Sequence, residues 1–134
     1  LCAASKNFSA AAIITAPLQL DSRIYNGLYL IENGKILHTQ TKHHLPNYGV
    51  FDEKRVFSSG PLPQPVHFKG HTLGLLICED LWYPDVAAHL KNHGAEILIS
   101  PHGSPFEIQK HQKRMDIARA RAQETRLPII FVNQ

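Results

Sequence analysis

The sequence has little cysteine: two in 134 residues, Cys2 and Cys78. They lie far apart and match neither a CxxC pair nor a zinc-ligand spacing, which argues against a disulfide framework or a cysteine metal centre and favours a reducing, cytoplasmic setting. Long hydrophobic runs are also missing. No apolar segment approaches the roughly 18 to 20 residues that a membrane helix needs, and no charged-then-apolar leader opens the chain, so a soluble protein with no membrane partner is expected. Charge of one sign is not in surplus either. Fourteen Lys and Arg against 11 Asp and Glu leave a formal charge of +3, with no block of like charges. A nucleic-acid-binding tail is thereby excluded, and charge names no partner. The nine histidines stand outside that sum, so mild acidification makes the chain more positive. There is no internal repeat, low-complexity tract or linker.

What is present is an ordinary globular balance, 43% hydrophobic and 19% charged, enough for one core. The chain starts at Leu1 and stops in "IIFVNQ", which reads as the end of a buried strand, so it is expected to be part of a longer one. "LCAASKNFS" reads as the tail of a helix, and "AAIITA", residues 11–16, as a buried strand closed by Pro17. Strands over 25–31 and 35–41 flank "ENG", whose Asn33-Gly34 pair is a strong hairpin signal. Periodicity vanishes over 42–65, where Pro46, Pro61, Pro63 and Pro65 exclude helix. Tyr48, Phe51 and Phe57 give this long loop apolar surface to bury, which argues for order. Paired strands follow over 66–68 and 72–78 across the "KG" of Lys69 and Gly70, then a helix from Pro84 to about residue 92 or 93 stopped by Gly94, with Val86, Ala87 and Leu90 on one face. A strand over 96–100, a helix over about 106–126 with Met115, Ala118 and Ala122 at helical spacing, and a strand in "IIFVN" complete the pattern. Strands alternating with helices behind a hairpin predict an α/β fold, a mixed sheet with flanking helices.

Cys78 ends the apolar run "GLLIC" and is followed by Glu79 and Asp80. A lone cysteine in such a strand is more often a small core residue than a nucleophile. Two acids directly after a buried strand suit the lip of a polar pocket instead, where a thiolate would need a cation or aligned dipoles. Lys42, entering the stiff loop, is either that cation or a solvated lysine, and Glu53 either its supporting carboxylate or a surface charge. His43 and His44 lack a second cluster with ligand spacing, so no metal site is expected. In "SPHGSPF", Ser100, Gly103 and Ser104 precede a helix and offer N–H groups to an anion, while Ser104 is equally a helix N-cap with Pro105 at the first helical position. Lys110 and Arg114 share a helix face and read as a solvated pair.

The segments "TKHHLPNYGVFDEKRVF", "GLLICEDLW", "ISPHGSPF" and "LPIIFVNQ" together resemble the glutamine-hydrolysing domain of glutamine-dependent NAD synthetases, a branch of the nitrilase (carbon–nitrogen hydrolase) superfamily. The resemblance spans nearly the whole chain and implies a nitrilase-like αββα sandwich, incomplete here, with residues 1–134 forming a partial glutaminase domain without its N-terminal and C-terminal segments. It implies Cys78 as nucleophile on the glutamine side-chain amide, Lys42 and the Glu79 N–H as oxyanion donors, and Glu53 as support for Lys42. Tyr48, Glu79, Trp82 and Ser104 would line the glutamine pocket. Partners by resemblance are glutamine, a synthetase domain of the same parent chain that converts deamido-NAD to NAD with ATP and magnesium, and further copies in a homo-oligomer. No cofactor is expected within these residues.

One departure from the family pattern stands out. The family's general-base glutamate precedes the first strand seen here, and Glu32, in the hairpin turn, does not replace it. These residues by themselves are therefore expected to be inactive. Two other readings remain: a stand-alone nitrilase-like amidase acting on another amide, and a catalytically dead nitrilase-like assembly module.

Overall fold

The computed structural model describes residues 1–105, 107–108 and 110–134. The chain divides into two compact units, Leu1–Pro61 and Leu62–Gln134.

The first unit is an antiparallel meander of β1 (Ala12–Leu20), β2 (Arg23–Glu32) and β3 (Lys35–Thr41), in that order across the sheet. Asn33 and Gly34 both take positive φ, 48° and 75°, and Glu32 lies opposite Lys35, so the expected two-residue hairpin forms. Its turn matches the right-handed twist of the strands it joins. The register shifts at Leu30/Ile31 and leaves Leu37 unmatched in β3, a bulge that bends the sheet. Leu28, Leu30 and Ile31 are buried. Two expectations change. Residues at the N-terminus form a short 3-10 turn, Ala4–Asn7, whose Ser5 hydroxyl accepts the Gly34 N–H at 2.7 Å. Strand β1 runs through Pro17 and is only partly buried, because it is an edge strand, where proline's missing N–H leaves no ladder bond unmade. The long loop carries one 3-10 turn, Glu53–Arg55.

The second unit holds a four-stranded mixed sheet, β4 (Val66–Phe68), β5 (His71–Leu75), β6 (Ile97–His102) and β7 (Ile129–Asn133). β4 and β5 form a hairpin across Lys69 and Gly70, at φ 49° and 82°, and the pairs β5–β6 and β6–β7 are parallel. Helices α1 (Pro84–Asn92) and α2 (Lys110–Thr125) make the two crossovers. Pro84 opens α1, Gly94 at φ 95° ends it, and its Val86, Ala87 and Leu90 are fully buried as their spacing requires. They form one core with Leu76, Leu81, Leu98 and Leu127, against which Ile117 and Ala118 of α2 pack.

Other details differ from the sequence reading as well, among them that β6 runs on to His102. Strand β5 ends at Leu75, so Leu76 and Ile77 are buried outside it, although the Leu76 N–H still reaches the Ile99 carbonyl at 3.0 Å. Helix α2 starts at Lys110, later than expected, and Phe106 and Gln109 lie outside the described residues. Strand β7 is an edge, not a buried strand, with Ile130 and Val132 each 50% exposed. Among the described residues no helix is long and apolar enough to cross a membrane.

Gly74 of β5 sets the distance between sheet and helix. A Cβ there would lie 2.6 Å from a Leu98 methyl and 3.1 and 3.3 Å from the Cβ atoms of Ala95 and Leu90. Gly74→Ala therefore overpacks the layer, and chemical denaturation of the protein is expected to show a loss of about 1–3 kcal/mol.

Candidate active site

Lys42 follows directly on β3 and is fixed through its backbone. Its N–H donates to the Asn26 carbonyl at 2.8 Å, extending the ladder by one residue, and its own carbonyl accepts the Gly60 N–H at 2.8 Å. Gly60 is needed for that return of the loop, since a Cβ would fall 2.0 Å from the Thr41 hydroxyl oxygen and 3.1 Å from the Lys42 carbonyl. His43 donates from Nδ1 to the Gly60 carbonyl at 2.7 Å, and the Ser59 hydroxyl donates to the His43 carbonyl.

The Lys42 side chain is 1% exposed. Its ammonium donates to both carboxylate oxygens of Glu53, at 2.7 and 2.9 Å. A buried ammonium is unfavourable unless paired, so this two-pronged bond is the condition for Lys42 to be inside. Glu53 in turn is tied through its backbone to Pro46 and Phe57, at 3.2 and 2.8 Å. The aromatic loop thus stations a carboxylate for the lysine, and Lys42 is not the solvated strand-end residue that its sequence position equally allowed. Tyr48 lies on the same loop, 50% exposed, edge-on to Phe51 at 5.8 Å between ring centres.

In the second unit, Cys78 opens a 3-10 turn, Cys78–Leu81, at the carboxyl end of β5. Its φ is 48°, in the left-handed region that disfavours any residue with a Cβ. Residues 73–77 and 79–81 are buried, and Cys78 between them is partly exposed. A core thiol would follow its neighbours into the interior; this one is turned out by its own backbone. Asp80, 0% exposed, accepts the Ile77 N–H at 3.2 Å and so closes the turn just ahead of the cysteine. Glu79 is 4% exposed. Trp82 caps the turn, its N–H on the Glu79 carbonyl at 2.9 Å and its ring under the Lys113 ammonium at 5.3 Å. An open groove of about 610 Å³ runs along α2 past Trp82, Lys113 and Arg121.

Ser104 lies beyond β6 and is not the N-cap of α2, which begins six residues later at Lys110. The loop has a different fastening. The Ser104 N–H donates to Asn133 Oδ1 at 3.2 Å, and its carbonyl accepts Asn133 Nδ2 at 3.2 Å and Arg114 Nη2 at 3.1 Å. Arg114 also reaches the Pro105 carbonyl at 3.0 Å. Arg114 and Lys110 are therefore not a solvated pair: the first clamps the Ser104 loop, and the second lies 3.1 Å from Glu107 with 13% of its side chain exposed. Behind Ser104, the Ser100 hydroxyl and His102 Nε2 share a buried hydrogen bond of 2.8 Å.

The structure therefore joins Lys42 to Glu53 within the first unit, and puts Cys78, Glu79 and Trp82 on one turn of the second. The bonds made by Asp80, Arg114, Arg121 and Asn133 escaped the sequence reading, which has the first as a lip acid and the second as a helix-face cation only. Asp80 had a local signal, an acid three residues after Ile77, the spacing of a turn cap. The other three act over 9 to 39 residues, through contacts that no local pattern encodes.

The profile of the carbon-nitrogen hydrolase family matches residues 1–134. Among curated proteins, the glutamine-dependent NAD(+) synthetases of Rhodobacter capsulatus and Aquifex aeolicus are 39% and 33% identical over 120 and 130 residues. Those matches cover 90% and 96% of this chain but 22% and 23% of the relatives, so the chain spans less than a quarter of their length. Among solved structures, the glutamine-dependent NAD+ synthetase of Acinetobacter baumannii, in complex with ADP, matches with a TM-score of 0.90 and 32% identity, over 98% of this chain and 25% of that one. A carbon-nitrogen hydrolase from Helicobacter pylori matches with 0.82 and 31%, over 98% and 48%. An amidase of the nitrilase superfamily from Nesterenkonia, at 21% identity and a TM-score of 0.81, has the same fold, and this chain covers half of it. With a nitrilase-type α/β fold and a family match along its whole length, the chain belongs to the carbon-nitrogen hydrolase family.

Proposed function

We propose that this chain is the glutaminase part of a glutamine-dependent NAD synthetase and that Cys78 is its nucleophile. The observation that carries the reading is the Cys78 turn, a partly exposed thiol held at φ 48° between buried neighbours at the end of a parallel strand. Open α/β sheets bind ligands at such carboxyl ends. Strained backbone of this kind gathers at active sites. The names of the relatives favour glutamine over other amides.

In this reading the general base takes the proton of the Cys78 thiol as its sulfur attacks the side-chain amide carbon of glutamine. The negative charge that develops on the amide oxygen is met, by the family resemblance, by the Lys42 ammonium and the Glu79 N–H, since donors aimed at developing charge lower the barrier. Collapse of the tetrahedral species breaks the C–N bond, ammonia leaves with a proton from the general base, and a thioester remains. Water, deprotonated by the same base, then releases glutamate and the thiol. Covalent catalysis replaces one difficult amide cleavage with two easier steps. Glu53 serves by fixing the position of the Lys42 ammonium. Tyr48, Trp82, Ser104 and the Glu79 carboxylate bind the substrate, the acid facing its ammonium group. By the family resemblance the base is a glutamate, a role that Glu32 in the hairpin turn does not fill.

The ammonia goes to a synthetase domain of the same parent chain, in a homo-oligomer, where ATP and magnesium serve the second reaction. The turn after β5 does not suit that nucleotide: the polar side chains it buries are acids, Glu79 and Asp80, not the Lys or Arg that a polyphosphate calls for. No step here runs through ATP. A reactive thiol of this kind fits the reducing cytoplasm.

In the full-length protein, Cys78→Ala is expected to abolish ammonia release from glutamine while NAD synthesis from free ammonia continues. A glutamine-like diazo ketone is expected to label Cys78 in preference to Cys2, read by mass spectrometry. Glutaminase activity surviving in Cys78→Ala would overturn the assignment.

Lys42 and Glu53 separate catalysis from stability. Glu53→Gln leaves a buried ammonium without its countercharge and is expected to lower stability by about 3–5 kcal/mol. The double change Lys42→Met, Glu53→Gln is expected to regain most of that in denaturant melts, yet to keep kcat depressed by about 100-fold or more. Recovery of kcat along with stability would remove Lys42 from the mechanism.

A further inference from the structure

A left-handed residue with a Cβ costs on the order of 1–2 kcal/mol, and it persists only where surrounding bonds leave the chain no alternative. Among the bonds that bracket Cys78 are the following. Ahead of it, the Leu76 N–H bonds the Ile99 carbonyl of β6 at 3.0 Å. Within the turn, Asp80 holds the Ile77 N–H. Behind it, Arg121 of α2 donates from Nη1 to the Trp82 carbonyl at 3.3 Å, across 39 residues of sequence.

Arg121 is an unusual residue for its place. It is 8% exposed, and its Nε is buried without a hydrogen-bond partner. Packing against a core favours an aliphatic side chain at such a helix position, and burying a guanidinium with an unmet donor is unfavourable. Arg121 is nonetheless secured: Nη2 donates to Glu124 Oε1 at 2.5 Å, and its backbone carbonyl accepts the Thr125 hydroxyl at 2.7 Å. What this arrangement achieves is a fixed, charged donor on the residue that caps the cysteine turn.

We propose that Arg121 is a positioning residue for the Cys78 thiol, its guanidinium on the Trp82 carbonyl pinning the far end of the turn whose near end is strained. Without that bond, residues 78–82 relax toward ordinary right-handed backbone, and the change of φ at Cys78 swings Cβ and the sulfur away from the attack position. The inference rests on Cys78 being the nucleophile.

The test uses the full-length protein, with Arg121→Ala and Arg121→Lys beside the wild type. Three quantities are read: the alkylation rate of Cys78 by iodoacetamide, followed by mass spectrometry with Cys2 as the internal reference; kcat and KM for glutamine; and thermal melting. Arg121→Ala is expected to lower both the Cys78 rate and kcat by about tenfold or more, with KM within about twofold, since displacing a reacting atom acts on the chemical step. Added guanidinium ion is expected to restore part of both. Arg121→Lys keeps the stem and the charge but loses the fork, and it is expected to melt near the wild type with the Cys78 rate reduced about threefold or more. This variant decides if the alanine protein does not fold. A wild-type Cys78 rate in a folded variant overturns the proposal, and so does a loss in Arg121→Ala that guanidinium leaves untouched, the mark of lost packing. A wild-type Cys78 that reacts no faster than Cys2 overturns both this inference and the nucleophile assignment.

Discussion

The backbone of Cys78 imposes a demand on everything around it in the second unit. A non-glycine residue at φ 48° is uphill by itself, so the energy that keeps it there comes from neighbours that would lose bonds if it relaxed. Strand β5 stops two residues short of the turn, which frees Leu76 and Ile77 to bury their side chains while the chain rises out of the sheet. Asp80 takes the Ile77 N–H that no strand partner receives. The apolar layer of Leu76, Leu81, Val86 and Leu90 packs beneath the turn, and Cys78 stays partly exposed between neighbours that are buried.

The first unit solves a different problem by the same kind of reasoning. Lys42 is drawn inside by the backbone bonds that continue the β2–β3 ladder, and once inside it needs a carboxylate. The loop over 42–61 supplies Glu53, fixed by a 3-10 turn and by bonds to Pro46 and Phe57. Long loops without regular structure are usually functional or disordered. This one is ordered around a charge pair, with Gly60 closing it against Thr41 where no larger residue fits.

Much of the fold was legible before any coordinates. The Asn33-Gly34 and Lys69-Gly70 turns, Pro84 and Gly94 at the ends of α1, and the apolar face of that helix are local signals, each decided by the φ preference or spacing of a few adjacent residues. Misreadings fell where the deciding partner is remote. Pro17 reads as a strand terminator until β1 is known to be an edge, and Ser104 reads as a helix cap until Asn133 and Arg114 are found on its backbone. Lys110 and Arg114 of helix α2 read as a solvated pair, yet Arg114 bonds the carbonyls of a remote loop, as Arg121 bonds that of Trp82.

Sequence by itself determined which groups are candidates for chemistry and where they fall in the chain: a lysine entering a proline-bearing loop, a glutamate eleven residues on, and a cysteine after an apolar strand. Side-chain type and local backbone preference are properties of the residues themselves, which is why these survive translation into structure unchanged. Tertiary structure alone decided which of them are held and how. A buried ion pair, a left-handed cysteine and an inward arginine are each unfavourable in isolation, and they persist because folding supplies Glu53 to Lys42, buried neighbours to Cys78, and the Trp82 carbonyl, 39 residues away, to Arg121.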